Sequence, residues 1–137
     1  MELPDFSGNL SERLAELDTI LTGRNNIILV GSSFGGLMAT IYAMAHPEAV
    51  DRLILMAPAL NFAEFSEYPL QRLDILTWMI IGKNDTVTPP AEVVPVADKI
   101  FTSLCYYEVD DDHTLAGTFR QFDWKSLLSS EGESFTR

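Results

Sequence analysis

The apolar run Ile27-Ile28-Leu29-Val30 passes directly into Gly31-Ser32-Ser33-Phe34-Gly35-Gly36, then into a helix-compatible stretch from Leu37 to Ala45 that Pro47 closes. A strand that becomes a helix over so few residues needs a sharply bent backbone. The bend puts its central residue in a strained conformation, and glycines two positions before and after let neighbouring backbone pass closely. Ser33 is then held out over the carboxyl edge of a sheet, where its hydroxyl is a candidate nucleophile. The bland alternative is a serine that merely caps a helix in an ordinary β-α unit.

A serine hydroxyl needs a base, and the chain holds two histidines. His46 lies about a dozen residues along the helix that Ser33 opens, roughly 18 Å away at 1.5 Å per residue. It is too distant, and reads instead as a last-turn histidine favoured by the helix dipole ahead of Pro47. His113 follows the strand-like run Leu104-Cys105-Tyr106-Tyr107-Glu108-Val109 and the acidic Asp110-Asp111-Asp112. From there it can swing over the carboxyl edge of the sheet, so by elimination it is the candidate base.

A carboxylate at the end of another strand would orient the imidazole and stabilise its cationic form. Trp78-Met79-Ile80-Ile81-Gly82 is such a strand, and the turn Lys83-Asn84-Asp85 after it presents Asp85. Asn-Asp is also turn chemistry in its own right. Asp110 is the substitute.

With these residues placed, the chain resembles the α/β-hydrolase superfamily, in particular its small bacterial esterases. The resemblance is carried by Pro4-Asp5-Phe6-Ser7-Gly8, Gly31-Ser32-Ser33-Phe34-Gly35-Gly36, His46-Pro47-Glu48 through Ala59, Gly82 through Pro89, and Asp112-His113-Thr114-Leu115. It extends from about Leu3 to Leu128, and the order Ser33, Asp85, His113 is that family's order. It implies an α/β fold with three layers, α/β/α, around a mostly parallel sheet, in a minimal or N-terminally shortened form. It further implies a serine hydrolase that cleaves a small carboxylic ester or thioester through an acyl-enzyme. Ser33 would attack, His113 take the proton, Asp85 orient the ring and the Phe34 N–H stabilise the oxyanion.

The family draws a second oxyanion donor from a His-Gly-type loop after an earlier strand, and no segment here matches that loop. Loss of one such donor costs around 10²–10³ in turnover. The competing expectation is a truncated, weakly active or inactive hydrolase-like domain that acts in assembly or ligand binding. Without the family's preceding strands, the Ile27–Val30 strand has a free apolar edge, which predicts a homo-oligomer or a partner segment covering it.

Elsewhere, Leu10, Leu14, Leu17 and Leu21 at helical spacing predict a first helix ending near Gly23, and Leu53–Met56 reads as a parallel strand covered on both faces. Phe62, Phe65 and Tyr68, between Asn61 and Leu76, are expected to pack onto the core from a short helix, the alternative being that they line a shallow acyl-binding face; the stretch is too short for a large cap. A helix is predicted over Val94 to Ile100 with Pro95 in its first turn, and a last helix over Thr114 to Leu128. These elements form one domain, residues 1–128, followed by an aperiodic tail, residues 129–137.

A net charge of −11 disfavours nucleic acid, anionic membranes and acidic substrates as partners, leaving a small neutral ester or thioester. No run approaches a membrane span and Met1-Glu2-Leu3-Pro4-Asp5 is not a secretory signal, so a cytoplasmic location is expected. The lone Cys105 suits a reducing compartment and reads as a core residue. The three adjacent aspartates lack the spacing of a calcium loop, and neither a metal nor a cofactor is expected.

Overall fold

The computed structural model describes residues 8–115. Helix α1, Leu10–Leu21, opens on a capping box in which the Asn9 side chain accepts from the Glu12 N–H at 2.9 Å and Glu12 Oε1 accepts from the Asn9 N–H at 3.2 Å. Two orphan donors of the first turn are thereby satisfied. Leu10, Leu17 and Leu21 are buried, and the chain leaves the helix at Gly23, whose φ is +77°.

The remaining elements alternate. Strand β1 is Ile27–Ser32, helix α2 Phe34–Ala45, strand β2 Val50–Met56, strand β3 Leu76–Gly82, helix α3 Pro90–Ile100 and strand β4 Leu104–Val109. The four strands are parallel in the order β1-β2-β3-β4. Parallel neighbours need a crossover, and here α2 and α3 supply two of the three. The β2–β3 connection carries only the 3₁₀ turn Ala63–Glu67. Phe65 is buried there, with Phe62 and Tyr68 packed against the same core.

Side chains of a strand alternate between faces. Leu53, Leu55, Met79 and Ile81 point to the face that buries α1, α2 and α3, through Leu17 and Leu21, Leu37 and Ile41, and Val93, Ala97 and Ile100. Ile54, Met56, Trp78 and Ile80 point to the other face, with Cys105 and Tyr107 partly buried beside them. Cys105 is thus half-buried at the edge of that cluster and not a fully enclosed core residue. The Arg52 guanidinium lies 5.0 Å from the Trp78 ring centroid on this face, an apolar contact for the arginine stem and a cation–π contact for its head.

Two boundaries differ from expectation. Helix α3 begins at Pro90, four residues before Val94, which moves Pro95 from the first turn into the helix interior. Pro90 at the first position has the fixed φ a helix start needs, and the Glu92 and Val93 N–H groups both donate to the Pro89 carbonyl at 3.0 Å. At the other end, Thr114 lies in a turn and Leu115 has φ +53°. The rest of the expected last helix and the tail, residues 116–137, lie outside the described residues, and so does any second helical layer they would form. Among the described residues, no helix is long and apolar enough to cross a membrane.

Candidate active site

Ser33 stands between β1 and α2 with φ +52° and ψ −114°. A non-glycine residue in that region costs on the order of 1–3 kcal/mol and persists only where its surroundings over-determine it. They do so here. The Ser33 N–H donates to the Met56 carbonyl at 2.9 Å, and the Ser33 carbonyl accepts from Gly36 at 3.0 Å, Leu37 at 3.2 Å and Ala59 at 2.9 Å. The exit of β2 therefore clamps the bend from one side and the first turn of α2 from the other.

The glycines around Ser33 do not contribute equally. A Cβ on Gly31 would strike the Gly35 carbonyl, so Gly31 is the position where close approach demands glycine. Gly35 has nothing within 4 Å of where its Cβ would lie, contrary to the symmetric requirement read from the motif. It is the Gly35 backbone, not its missing side chain, that crowds Gly31.

Asp85 sits in the turn between β3 and α3, and Asp-x-x-Thr there folds as a local carboxylate cradle. Its Oδ1 accepts from the backbone N–H groups of Val87 at 2.8 Å and Thr88 at 2.7 Å; its Oδ2 accepts from Thr88 Oγ1 at 2.7 Å. Burial pushes this carboxyl up, but the Thr88 N–H, His113, the Thr88 hydroxyl and the Val87 N–H outweigh it and hold Asp85 below its ordinary 3.8. Hydrogen bonds to a charged group contribute roughly 1.5–3 kcal/mol each, enough for four to offset the cost of hiding the charge.

His113 reaches the site because two loops cross over one glycine. A Cβ on Gly82 would run into the Asp111 carbonyl, so only glycine lets the 110–112 segment lie on the end of β3. The crossing is stitched by the Lys83 N–H to the Val109 carbonyl at 2.8 Å and the Asn84 N–H to the Asp111 carbonyl at 3.1 Å. His113 Nδ1 then lies 2.7 Å from Asp85 Oδ2, and His113 Nε2 lies 2.9 Å from Ser33 Oγ. An ionised carboxylate only accepts, so Nδ1 carries the proton and Nε2 is left to accept from the serine hydroxyl.

Structure and sequence therefore bring Ser33, His113 and Asp85 together. Asp110, the substitute carboxylate, points elsewhere: its Oδ1 lies 3.5 Å from Lys83 Nζ and accepts weakly from Asn84 Nδ2 at 3.4 Å. Phe34 is the first residue of α2, so its N–H has no acceptor within the helix and lies at the positive pole of the helix dipole beside Ser33. His46 is the C-cap of α2, one residue beyond the last turn in which it was expected. Thr88, fully buried, is the residue that sequence reasoning missed; its hydroxyl is 2.7 Å from Asp85 Oδ2 and 3.2 Å from His113 Nδ1. The Asp-x-x-Thr spacing was the available signal. Among the described residues, no group of three His, Cys, Asp or Glu side chains could hold a metal ion.

A strained serine at a strand-to-helix bend over a parallel sheet is what the α/β hydrolase fold presents, and the family comparison agrees with that fold. The α/β hydrolase fold family matches residues 9–78, just over half of the sequence, and the chain belongs to that family. It is 57% identical over 44 residues to a rice protein (Oryza sativa subsp. japonica) named "Probable 1-acylglycerol-3-phosphate O-acyltransferase", a stretch covering 32% of this chain and 10% of that one. Its fold is similar to an alpha-beta serine hydrolase homologue from Coxiella burnetii, with TM-score 0.69 and 19% identity over 85% of this chain and 58% of that one. It is also similar to mouse alpha/beta hydrolase domain-containing protein 10, with TM-score 0.67 and 18% identity over 79% of this chain and 63% of that one. The chain thus spans less than two thirds of each.

Proposed function

We propose that this chain carries the reacting groups of a serine hydrolase for small carboxylic esters or thioesters. The observation that supports this reading most is the continuous path from Ser33 Oγ through His113 to Asp85, with heavy-atom separations of 2.9 and 2.7 Å. Ser33 Oγ attacks the acyl carbon as its proton passes to His113 Nε2. The negative charge that develops on the acyl oxygen meets the Phe34 N–H, and Asp85 steadies the imidazolium. His113 returns the proton to the departing alkoxide or thiolate, leaving the acyl group on Ser33. Water then attacks the acyl carbon as it gives a proton to His113, and His113 returns that proton to Ser33 Oγ as the acid departs. An alcohol in place of water would make the same intermediate an acyl donor, the chemistry in the rice relative's name, and product analysis separates the two.

The test is hydrolysis of a short-chain p-nitrophenyl ester by the purified chain beside Ser33→Ala and His113→Ala. Each variant is expected to lose at least about 10³-fold in kcat. Wild-type rates in either variant would overturn the reading.

A second reading is a hydrolase-like module that acts in assembly or ligand binding. It draws on β1, the outer strand of the described sheet, where Val30 is 41% exposed. An unpaired strand edge is a template for pairing with another chain. Equal inertness of wild type and Ser33→Ala, with a concentration-dependent increase in mass by light scattering, would favour this reading over the first.

A further inference from the structure

We infer that Thr88 is a positioning residue for the acid–base pair: its hydroxyl shares Asp85 Oδ2 with His113 and so sets how strongly the carboxylate holds the imidazole. The inference rests on the hydrolase reading and deepens it. Thr88 touches no reacting atom, and it acts only through Asp85 and His113.

The geometry is specific to the hydroxyl. Thr88 is fully buried, and its Oγ1 lies within hydrogen-bond distance of two atoms, Asp85 Oδ2 at 2.7 Å and His113 Nδ1 at 3.2 Å. Asp85 Oδ2 accepts and cannot donate, so the hydroxyl proton points at the carboxylate. That leaves a lone pair of Oγ1 for the Nδ1 proton of His113, whose main acceptor is Asp85 Oδ2 at 2.7 Å. The imidazole proton is forked between a carboxylate and a hydroxyl that is itself bonded to that carboxylate. Both edges of the Asp85 carboxyl are consequently fixed, Oδ1 by two backbone N–H groups and Oδ2 by one hydroxyl and one imidazole.

The fork is anchored from outside. Asn61 Nδ2 donates to the Val87 carbonyl at 3.2 Å, tying the loop after β2 to the turn that carries Asp85 and Thr88. Other charged groups near His113 are occupied by neighbours of their own. Asp112 Oδ1 accepts from the Thr114 N–H at 3.0 Å and its hydroxyl at 2.7 Å, Asp111 Oδ1 accepts from the Asp112 N–H at 2.8 Å, and Asp110 pairs with Lys83 at 3.5 Å. Among the described residues, Asp85 is the carboxylate that bonds the His113 ring, and Thr88 is the group that moderates it.

Removing the hydroxyl has a signed consequence. Oδ2 loses a donor, its charge is less neutralised, and the His113 bond to it strengthens. The protonated imidazole is then held more firmly, so a higher pH is needed to free the base.

Thr88→Val removes the hydroxyl at nearly constant volume, and Thr88→Ser keeps it while removing the methyl. In Thr88→Val, the low-pH limb of kcat/KM is expected to move to higher pH, with KM unchanged. Thr88→Ser should keep the wild-type limb. A readout independent of turnover is the downfield proton resonance of His113 Nδ1–H; with two histidines in the chain, His46→Gln identifies it. That resonance should move further downfield in Thr88→Val and stay in place in Thr88→Ser, in proteins whose thermal melts confirm folding.

If Thr88→Val does not fold, Thr88→Ala against Thr88→Ser makes the same comparison. The inference is overturned if limb and resonance follow the methyl and not the hydroxyl, if neither moves, or if the wild-type resonance is absent. Full activity in Ser33→Ala would instead sink the hydrolase reading, a result the resonance does not depend on.

Discussion

The two histidines each lie against an aspartate, at opposite edges of the same sheet. His113 meets Asp85 at 2.7 Å with side-chain exposures of 25% and 0%; His46 meets Asp18 at 3.2 Å with exposures of 40% and 59%. His46 also packs against Tyr42, with ring centroids 4.6 Å apart and planes tilted by 33°, and both line an open cavity of about 340 Å³. Burial, Asp18 and Glu48 push the Tyr42 hydroxyl up, so this corner holds a neutral phenol, a histidine and two solvated carboxylates. Among the described residues, no serine or cysteine lines it. A His–Asp contact is therefore common chemistry, and the partners of the carboxylate decide what it does. Asp85 has four donors and a fully buried side chain, whereas Asp18 lies in solvent, where an ion pair contributes at most about 1 kcal/mol.

Asp85→Asn breaks the contrast most severely. The amide turns a donor toward groups that themselves donate and favours the wrong imidazole tautomer, so kcat for ester hydrolysis is expected to fall by roughly 10³–10⁴. Asp18→Asn, assayed in parallel, should leave kcat at the wild-type value. Equal losses in the two would dissolve the distinction.

Gly82→Ala sharpens the comparison through backbone alone, because the new Cβ collides with Asp111 where the two loops cross. A stability loss of about 1–3 kcal/mol in urea melts, with a matching fall in kcat, is expected. An unchanged melt and rate would mean that the crossing is not what holds His113 over Asp85.

The pH dependence of stability separates the pairs more gently. Asp85 titrates below its ordinary 3.8 in the folded chain, so its contribution is complete above that value and fades as the pH falls through the lower, folded one. The difference in urea midpoint between wild type and Asp85→Asn should accordingly be constant near neutrality and shrink below about pH 4. A gap that instead widened on acidification would mean the carboxyl is raised and not depressed. Smallest of all, Asp18→Ala should shift the wild-type unfolding free energy by less than about 1 kcal/mol, less still in high salt.

Much of the sheet and of the candidate site was legible because short-range pattern and long-range role coincide there. Ser33 lies in a motif whose spacing is itself the backbone bend, and Asp85 and His113 each follow an apolar strand, so parallel order delivers all three to one edge. The stop of α1 at Gly23 is equally local. What was not legible depended on neighbours distant in sequence. Thr88 looks like any turn threonine until His113, 25 residues on, closes over it. Asp18 meets His46, 28 positions further on, only because α1 packs against α2. Pro95 was misplaced for a different reason: a proline reads as a helix start, while Pro90 already filled that position and burial of Val93, Ala97 and Ile100 carried the helix through the second one.

Ser33 leaves β1, Asp85 leaves β3 and His113 follows β4, so the site bridges the full width of the described sheet, about 14 Å at the usual strand spacing. That span acts as a fixed ruler for the growth of the fold. A strand added outside β1 or β4 leaves the ruler untouched, but one inserted between β1 and β4 lengthens it by roughly 5 Å and carries His113 out of reach of Ser33. Elaboration of this scaffold, by evolution or by design, is accordingly confined to its flanks and loops as long as those two side chains must meet.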